Sequence, residues 1–321
     1  MLISKEVVIS AICYEVGQSV SITDLVGEGV TLGDAKQLLE QGVVRVSVLQ
    51  HPLSQSMERC ILRSLAAADI AASDIDAVIL ATESFGYLFD DKGHAVVGPF
   101  RDTRNQIFAF LHSLGIRKAS VSCATYGACA NLLHSFLMAE ALINKDLSRN
   151  ALIIVGEKFG ATGARLMPEA VSIAGDGAAA CIVSATQKGD PRAFRLRYVG
   201  NAPYKQFTAA DDRAKALLEM FRAMRNAAAD CYDACALSPQ AFRWILLGDY
   251  NALTSLTHGK LLGFSPDRIF MKNVGQFGHI PFDPLINLTK LASDDLVRST
   301  DQVLVFLCGP VSCGAIALQA L

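Results

Sequence analysis

No apolar run in this chain approaches the length of about eighteen residues needed to span a bilayer, although 51% of its 321 residues are hydrophobic. The apolar surplus therefore goes into a large core, with some left for a subunit interface, and no membrane partner is expected. No basic block or acidic tail disturbs a formal net charge of −2, so no nucleic-acid partner is expected either. The N-terminus, MLISKEVVISAICYEVG, lacks the cationic start, long apolar stretch and small-residue cleavage site of a signal peptide, which points to a cytoplasmic protein. Nine cysteines show no paired metal-ligand spacing and read as reduced thiols, most of them packing residues. No two histidines share a ligand spacing with acids or cysteines: His51, His94 and His112 have no partner pattern, His258 falls in a helix, and His134 reads as packing or surface. Gly175-Asp176-Gly177 lacks the order of strand, turn and helix, and the lysine, of a phosphate loop. No metal or other cofactor is expected.

What is present is an alternation of buried strands and helices. Strands are expected at 6–14, 77–81, 151–155, 242–247 and 302–307, with an extended piece at 43–49. Helical spacing covers 34–41, 53–67, 105–114 and 215–236, with Gly115 as a C-terminal cap. Residues 85–104, rich in glycine and charge, read as a loop or cap over the sheet edge, and 192–217 as weakly patterned and loop-like.

The chain is organised around ASVSCATYGACANLLHSFLMAEAL, residues 119–142. A short β-type run passes through a small-residue corner to Cys129, where a helical pattern begins. Unpaired N–H groups and the positive dipole end of a helix stabilise thiolate over thiol, making Cys129 a candidate nucleophile. The plainer reading is a small core residue.

Four landmarks recur in the same order and argue for an internal duplication. Residues 242–247 with Gly248-Asp249-Tyr250-Asn251 answer 77–84, Leu261-Leu262-Gly263-Phe264 answers Leu114-Gly115-Ile116, Gly278-His279 answers Ala128-Cys129, and 302–307 with Gly309 answers 151–156. Halves at 1–186 and 187–321, packed about a pseudo-twofold axis, would bring Cys129 and His279 together at opposed helix starts. A thiol that attacks an acyl carbon beside an imidazole that takes and returns protons is the arrangement acyl transfer needs. The alternative for His279 is a loop imidazole satisfied by backbone groups.

Gly127-Ala128-Cys129-Ala130, Ala174-Gly175-Asp176-Gly177-Ala178 and the closing Leu307-Cys308-Gly309-Pro310-Val311-Ser312-Cys313-Gly314 resemble the thiolase-fold condensing enzymes, and ketoacyl-ACP synthase III most closely, over nearly the whole chain. The resemblance implies an α/β thiolase fold, two duplicated halves forming a five-layered αβαβα architecture, and a homodimer. It implies that Cys129 accepts an acyl group from coenzyme A or acyl carrier protein. It also implies that the oxyanion is held by the N–H of Cys129 and by the Gly309 to Ser312 turn, with Asp249 and Asn251 beside the substrate.

Two departures shift the implied activity. Family members that condense by decarboxylation carry a histidine after the strand at 242–247, where this chain has Leu247-Gly248-Asp249-Tyr250-Asn251, and a Gly-Asn where it has Gly278-His279. A Gly-His followed by a nearby aspartate resembles instead the acyltransferases of antibiotic pathways, which act on small-molecule or carrier-bound acceptors. That branch implies Cys129 as nucleophile, His279 as base and Asp283 as orienting carboxylate, with Asp249 the rival for the last role. Ala81-Thr82-Glu83-Ser84 resembles a segment of HMG-CoA synthase whose Glu is a general acid and base, so Glu83 is either a buried catalytic acid of raised pKa or a solvated loop acid. A carbon–carbon condensing enzyme and a non-catalytic partner subunit remain the rival functions.

Overall fold

Runs of apolar residues that no alternation interrupts demand cover on both faces, and the architecture supplies it. The computed structural model describes residues 5–27, 29–90, 100–160, 165–167, 171–185, 192–204 and 213–321. In the first half β1 (Val7–Val16), β2 (Gln18–Ser21), α1 (Leu32–Glu40), β3 (Arg45–Val48), α2 (Leu53–Ala68) and β4 (Ala77–Ala81) precede α3 (Phe100–Ser113), β5 (Ser120–Ala124), α4 (Asn131–Asn144), β6 (Asn150–Glu157) and β7 (Gly177–Ser184). There follow β8 (Phe194–Pro203), α5 (Arg213–Cys235), β9 (Phe242–Leu246), α6 (Ala252–Leu261), α7 (Asp283–Ser293), β10 (Gln302–Cys308) and β11 (Ser312–Ala320).

Among the described residues one nine-stranded sheet runs β5-β4-β6-β7-β1-β8-β11-β10-β9, and β2 pairs with β3 apart from it. The pairs β4/β5, β4/β6 and β9/β10 are parallel and the rest antiparallel. Two copies of one pattern meet at β1 and β8. In chain order the first half lies third, second, fourth, fifth, first, and the second half mirrors it as first, fifth, fourth, second. Ile269, bridged in parallel to Ile245 of β9, stands in the missing third place. The two half-sheets join where Val7, Val8 and Ile9 pair with Leu196, Arg195 and Phe194.

Side-chain alternation along single strands assigns the layers. Ile79 and Ile153 point into a central core with Leu132, Leu133 and Phe136 of α4 and Leu285, Ile286 and Leu288 of α7. Their neighbours Val78, Leu80, Leu152 and Ile154 point the other way, onto α2 and α3. On β10, Val303 and Val305 join the central core, while Leu304 and Phe306 pack on α5 and its neighbours. The result is helices, sheet, α4 with α7, sheet, helices. A helix in the middle layer is apolar around most of its circumference, which is why the α4 sequence shows so little polar face.

Three segments depart from the sequence expectations. Residues 192–204 hold β8 rather than a loop, with Phe194, Leu196 and Tyr198 buried between Arg195 and Arg197. The C-terminal residues form β11, and α3 begins at Phe100 rather than 105. Of the expected loop at 85–104, residues 85–90 start with a 3-10 turn at Phe85–Tyr87, and 91–99, with His94, lie outside the described residues. So does the expected boundary between 186 and 187.

Candidate active site

Past the end of β5 the chain makes a turn that few sequences tolerate. Tyr126 and Ala128 both have positive φ, +66° and +46°, on either side of Gly127. Such a conformation costs a non-glycine residue on the order of 1–3 kcal/mol and persists only where neighbours over-determine it. Here Asn131 Oδ1 accepts from the Gly127 N–H (2.9 Å), and Glu83 Oε1 accepts from the Ala128 N–H (2.7 Å). The hairpin between β10 and β11 closes from the far side: Gly309 lies so near the Gly127 carbonyl that a Cβ on it would overlap that oxygen. Cys129 follows in a 3-10 turn, Ala128–Ala130, that leads into α4. Its N–H has no backbone acceptor among the described residues.

His279 reaches this thiol from the second half. Gly278 (φ +70°) turns the chain against the Ile173 carbonyl, and the His279 backbone then donates to Ile173 O (2.7 Å) and accepts from Gly175 N–H (3.0 Å). Asp176, itself fully buried, fixes that segment in turn: it accepts from Leu49 N–H and Phe159 N–H at 2.9 Å each and pairs with the buried Arg165. The Gly-Asp-Gly stretch is thus the frame on which the imidazole is mounted.

The side chains then form a line. His279 Nε2 is 2.9 Å from Cys129 Sγ and Nδ1 is 2.6 Å from Asp283 Oδ2. Asp283 opens α7 four residues after His279 and also accepts from Ile280 N–H (2.9 Å) and Asp249 N–H (2.8 Å). His279 is 3% exposed and Asp283 0%. Burial alone would lower the imidazole, but the charges of Cys129 and Asp283 and the hydrogen bonds to both outweigh it and hold His279 well above the ordinary value. The arrangement favours an imidazolium between the Cys129 sulfur and the Asp283 carboxyl group.

The remaining candidates are placed differently. Asp249 does not touch the imidazole: it is 1% exposed, its Oδ1 accepts from Asn287 (3.1 Å), and its Oδ2 has no partner. Burial, then the charge of Asp283, push its carboxyl well above the carboxylate range, which favours the protonated form beneath the site. Asn251 caps α6 through Thr254 N–H (2.8 Å) and donates to Gln41 (2.6 Å), which occupies both ends of its amide. Ser312 Oγ lies 3.3 Å from His134 Nε2. The Gly309 N–H donates to the Ser312 carbonyl (2.8 Å), closing the hairpin, so the turn does not offer this donor to an oxyanion as the resemblance implies.

Of the two readings of Glu83, buried catalytic acid or solvated loop acid, its position fits the second. It is exposed, and its carboxylate holds the Ala128 and Asn131 donors under the nucleophile turn. The buried acid at this edge is Glu157, at the end of β6, which accepts from Glu83 N–H (2.8 Å) and Ser84 Oγ. Burial, only partly offset by those donors, pushes it up to about 8. An acid that ends an apolar run, as in ALIIVGE, was the available signal.

A raised acid is protonated when folded while its unfolded counterpart has ionised, so stability is full below about 4.5 and falls as pH climbs toward about 8. Glu157→Gln is expected to remove that slope and to add roughly 2–4 kcal/mol near the upper end, as read by denaturant unfolding across the range.

No His, Cys, Asp and Glu cluster suited to a metal ion occurs among the described residues, and none of their helices is long and apolar enough to cross a membrane. Residues 125–199 match the family described as 3-oxoacyl-[acyl-carrier-protein (ACP)] synthase III. Similar solved structures include ChlB3, described as an acyltransferase (16% identity, 98% of each chain, TM-score 0.78). Others are 3-oxoacyl-[acyl-carrier-protein] synthase III of Aquifex aeolicus (15%, 98% of this chain and 99% of that one, TM-score 0.75) and OleA of Xanthomonas campestris with acetamide bound (14%, 99% and 100%, TM-score 0.79).

Proposed function

From the thiolase fold that the chain shares with ketoacyl synthase III-like proteins, we propose that it is an acyltransferase of specialised metabolism, polyketide or antibiotic in type. It moves an acyl group from coenzyme A or acyl carrier protein, through a thioester on Cys129, to a hydroxyl, amine or carrier acceptor. The observation that carries this reading is the continuous line from Cys129 Sγ through His279 to Asp283.

In the first half-reaction the Cys129 thiolate attacks the thioester carbon. The oxyanion is held by the Cys129 N–H at the helix start. Collapse breaks the bond to the donor sulfur, which leaves with the proton from His279 Nε2. In the second half-reaction the now neutral Nε2 takes the acceptor proton, the acceptor attacks the Cys129 thioester, and Cys129 departs as thiolate beside a restored imidazolium. Asp283 holds the imidazole in one tautomer and supports its charge throughout. Glu83 acts from below, by keeping the nucleophile turn in its strained form.

Loss of carbon dioxide from a malonyl donor would need neutral donors around an enolate. The corner at Gly248 offers no side chain for that purpose, and the position after Gly278 is taken by the base itself. This favours simple transfer over condensation, and the acyltransferase description of ChlB3 agrees with it.

A groove of about 620 Å³ lies between α5 and α6, lined by Phe221, Arg225, Thr257, Lys260 and Leu261. Its two cations suit the acidic surface of a carrier or the phosphates of coenzyme A. β5, an edge strand with exposed Ser120 and Cys123, is the surface on which we place the homodimer contact.

The test is intact-mass spectrometry after incubation with a panel of acyl thioesters, malonyl included. An acyl mass that maps to Cys129 and leaves when a hydroxyl or amine acceptor is added is the expected result. Carbon dioxide release from malonyl thioester would favour the condensing rival, and no acyl mass from any donor would favour a partner subunit.

A further inference from the structure

Between β9 and α6 the chain turns through Gly248, Asp249 and Tyr250, and all three meet the line of catalytic candidates. The Asp249 N–H donates to the Asp283 oxygen that also holds His279. Tyr250 lays its ring on the imidazole, centroids 4.8 Å apart and planes 32° from parallel. Gly248 contributes an absence. A Cβ there would stand 2.9 Å from the imidazole Cε1 and 3.0 Å from Cε2 and Cζ of Tyr250.

A Cβ there would have to displace a ring from its seat. The imidazole is gripped at both nitrogens, and Tyr250 is buried, backed on another side by the edge-on His258 ring at 5.9 Å. The need for glycine is steric rather than conformational, since Gly248 is not among the residues with positive φ. An aromatic face near an imidazolium also favours its charged form.

We propose that Gly248 and Tyr250 are the positioning residues of His279. Gly248 leaves empty the space the ring needs beside Cε1, and Tyr250 closes the ring in from its face, so that Nε2 is delivered to Cys129 while Nδ1 stays on Asp283. The slot thereby determines specificity: it is filled by the base and an aromatic ring, and it has no volume for a second polar side chain over the thioester. Donors that react by simple acyl transfer are served, and donors that need a stabilised carbanion are not. The inference rests on His279 acting as the base, but its readout needs no acyl substrate.

The experiment follows alkylation of Cys129 by iodoacetamide, resolved from the other thiols by peptide mapping, from about pH 5 to about pH 9. In the wild type, an imidazolium seated beside the sulfur gives a rate that changes little over the range. Gly248→Ala and Tyr250→Leu should restore a steep rise with pH and slow the reaction about tenfold near neutrality, the behaviour of a thiol without its partner. Tyr250→Phe, which keeps the ring, should follow the wild type and so separates ring contact from general damage. Should Gly248→Ala fail to fold, the Tyr250→Leu and Tyr250→Phe pair carries the test.

Wild-type profiles in Gly248→Ala and Tyr250→Leu would overturn the proposal, as would a Tyr250→Phe profile equal to that of Tyr250→Leu. The expected profiles in a protein that accepts no acyl group from any donor would leave the slot standing and remove the acyltransferase reading instead.

Discussion

A protein with alanine at position 129 will gain no acyl mass from any thioester, and its transfer rate will fall by at least about 10⁴-fold, because the covalent route is lost rather than weakened. Cys129 is the thiol hydrogen-bonded to the candidate base. Burial pushes Cys60 up to about 12 and raises Cys181, while Cys235, lowered by its hydrogen bond to Cys231, is the thiol to exclude by mapping any acyl mass. The loss should not be one of folding. Cys129 Sγ has His279 as its hydrogen-bond partner, while Asp283 continues to hold the imidazole and Ile173 and Gly175 the His279 backbone. An alanine there should change unfolding free energy by no more than about 1 kcal/mol. Intact mass, transfer rate and a denaturant curve together check the claim, and acylation that persists at an undiminished rate would remove Cys129 from the mechanism.

The parts of this site that were legible in the sequence are those that a local pattern specifies. Cys129 stands where a β-type run gives way to a helix, and His279 stands at the matching place in the repeat. Both follow from strand and helix periodicity together with chain order, and the strand order of the sheet repeats in the same sense. Asp283, four residues after His279, is the first residue of α7, and the short turn between them makes its reach to Nδ1 local as well.

What escaped depends on contacts distant in sequence. Glu83 and Glu157 look alike as acids ending apolar strands, and only the packing of the two strand ends decides that Glu157 is buried and Glu83 is not. The Gly309 N–H is taken up by a hairpin whose second strand, β11, is buried on both faces and so lacks alternation. β8 does alternate, with Arg195 and Arg197 between Phe194, Leu196 and Tyr198, but the pattern ends at Val199-Gly200, and the segment reads as loop until its partners β1 and β11 are in view. Tyr250 and Gly248 matter through their fit to a residue about thirty positions away, which no local period encodes.

His279→Ala should lower the transfer rate by about 10²–10⁴-fold, the usual worth of a positioned base, and Asp283→Asn should lower it less while changing its dependence on pH. The direction follows from what holds the imidazolium. Burial disfavours the charge, and the thiolate and Asp283 reverse that. With asparagine at 283 one of the two anions is gone, burial counts for more, and the imidazole loses its proton at lower pH.

The same residues enter stability. A histidine whose folded pKa is raised binds a proton that the unfolded chain has released, so its contribution is complete below the unfolded value near 6.5 and is lost as pH rises toward the folded one. Unfolding free energy of the wild type should therefore decline above about pH 6.5, beside the slopes from Glu157 and from the likewise raised Asp249. In Asp283→Asn the decline from His279 should be shallower and finish sooner, and in His279→Ala it should vanish. Measuring both variants in a Glu157→Gln background removes the slope from Glu157, and the difference between each variant and that background isolates His279 from the slope that Asp249 leaves in all of them. If all three proteins in that background share one slope, folding brings no net proton to the Cys129–His279 pair. Either the imidazole is neutral, with His279 a base from the first half-reaction onward, or its proton comes from the Cys129 thiol, and the alkylation profile of Cys129 against pH distinguishes the two.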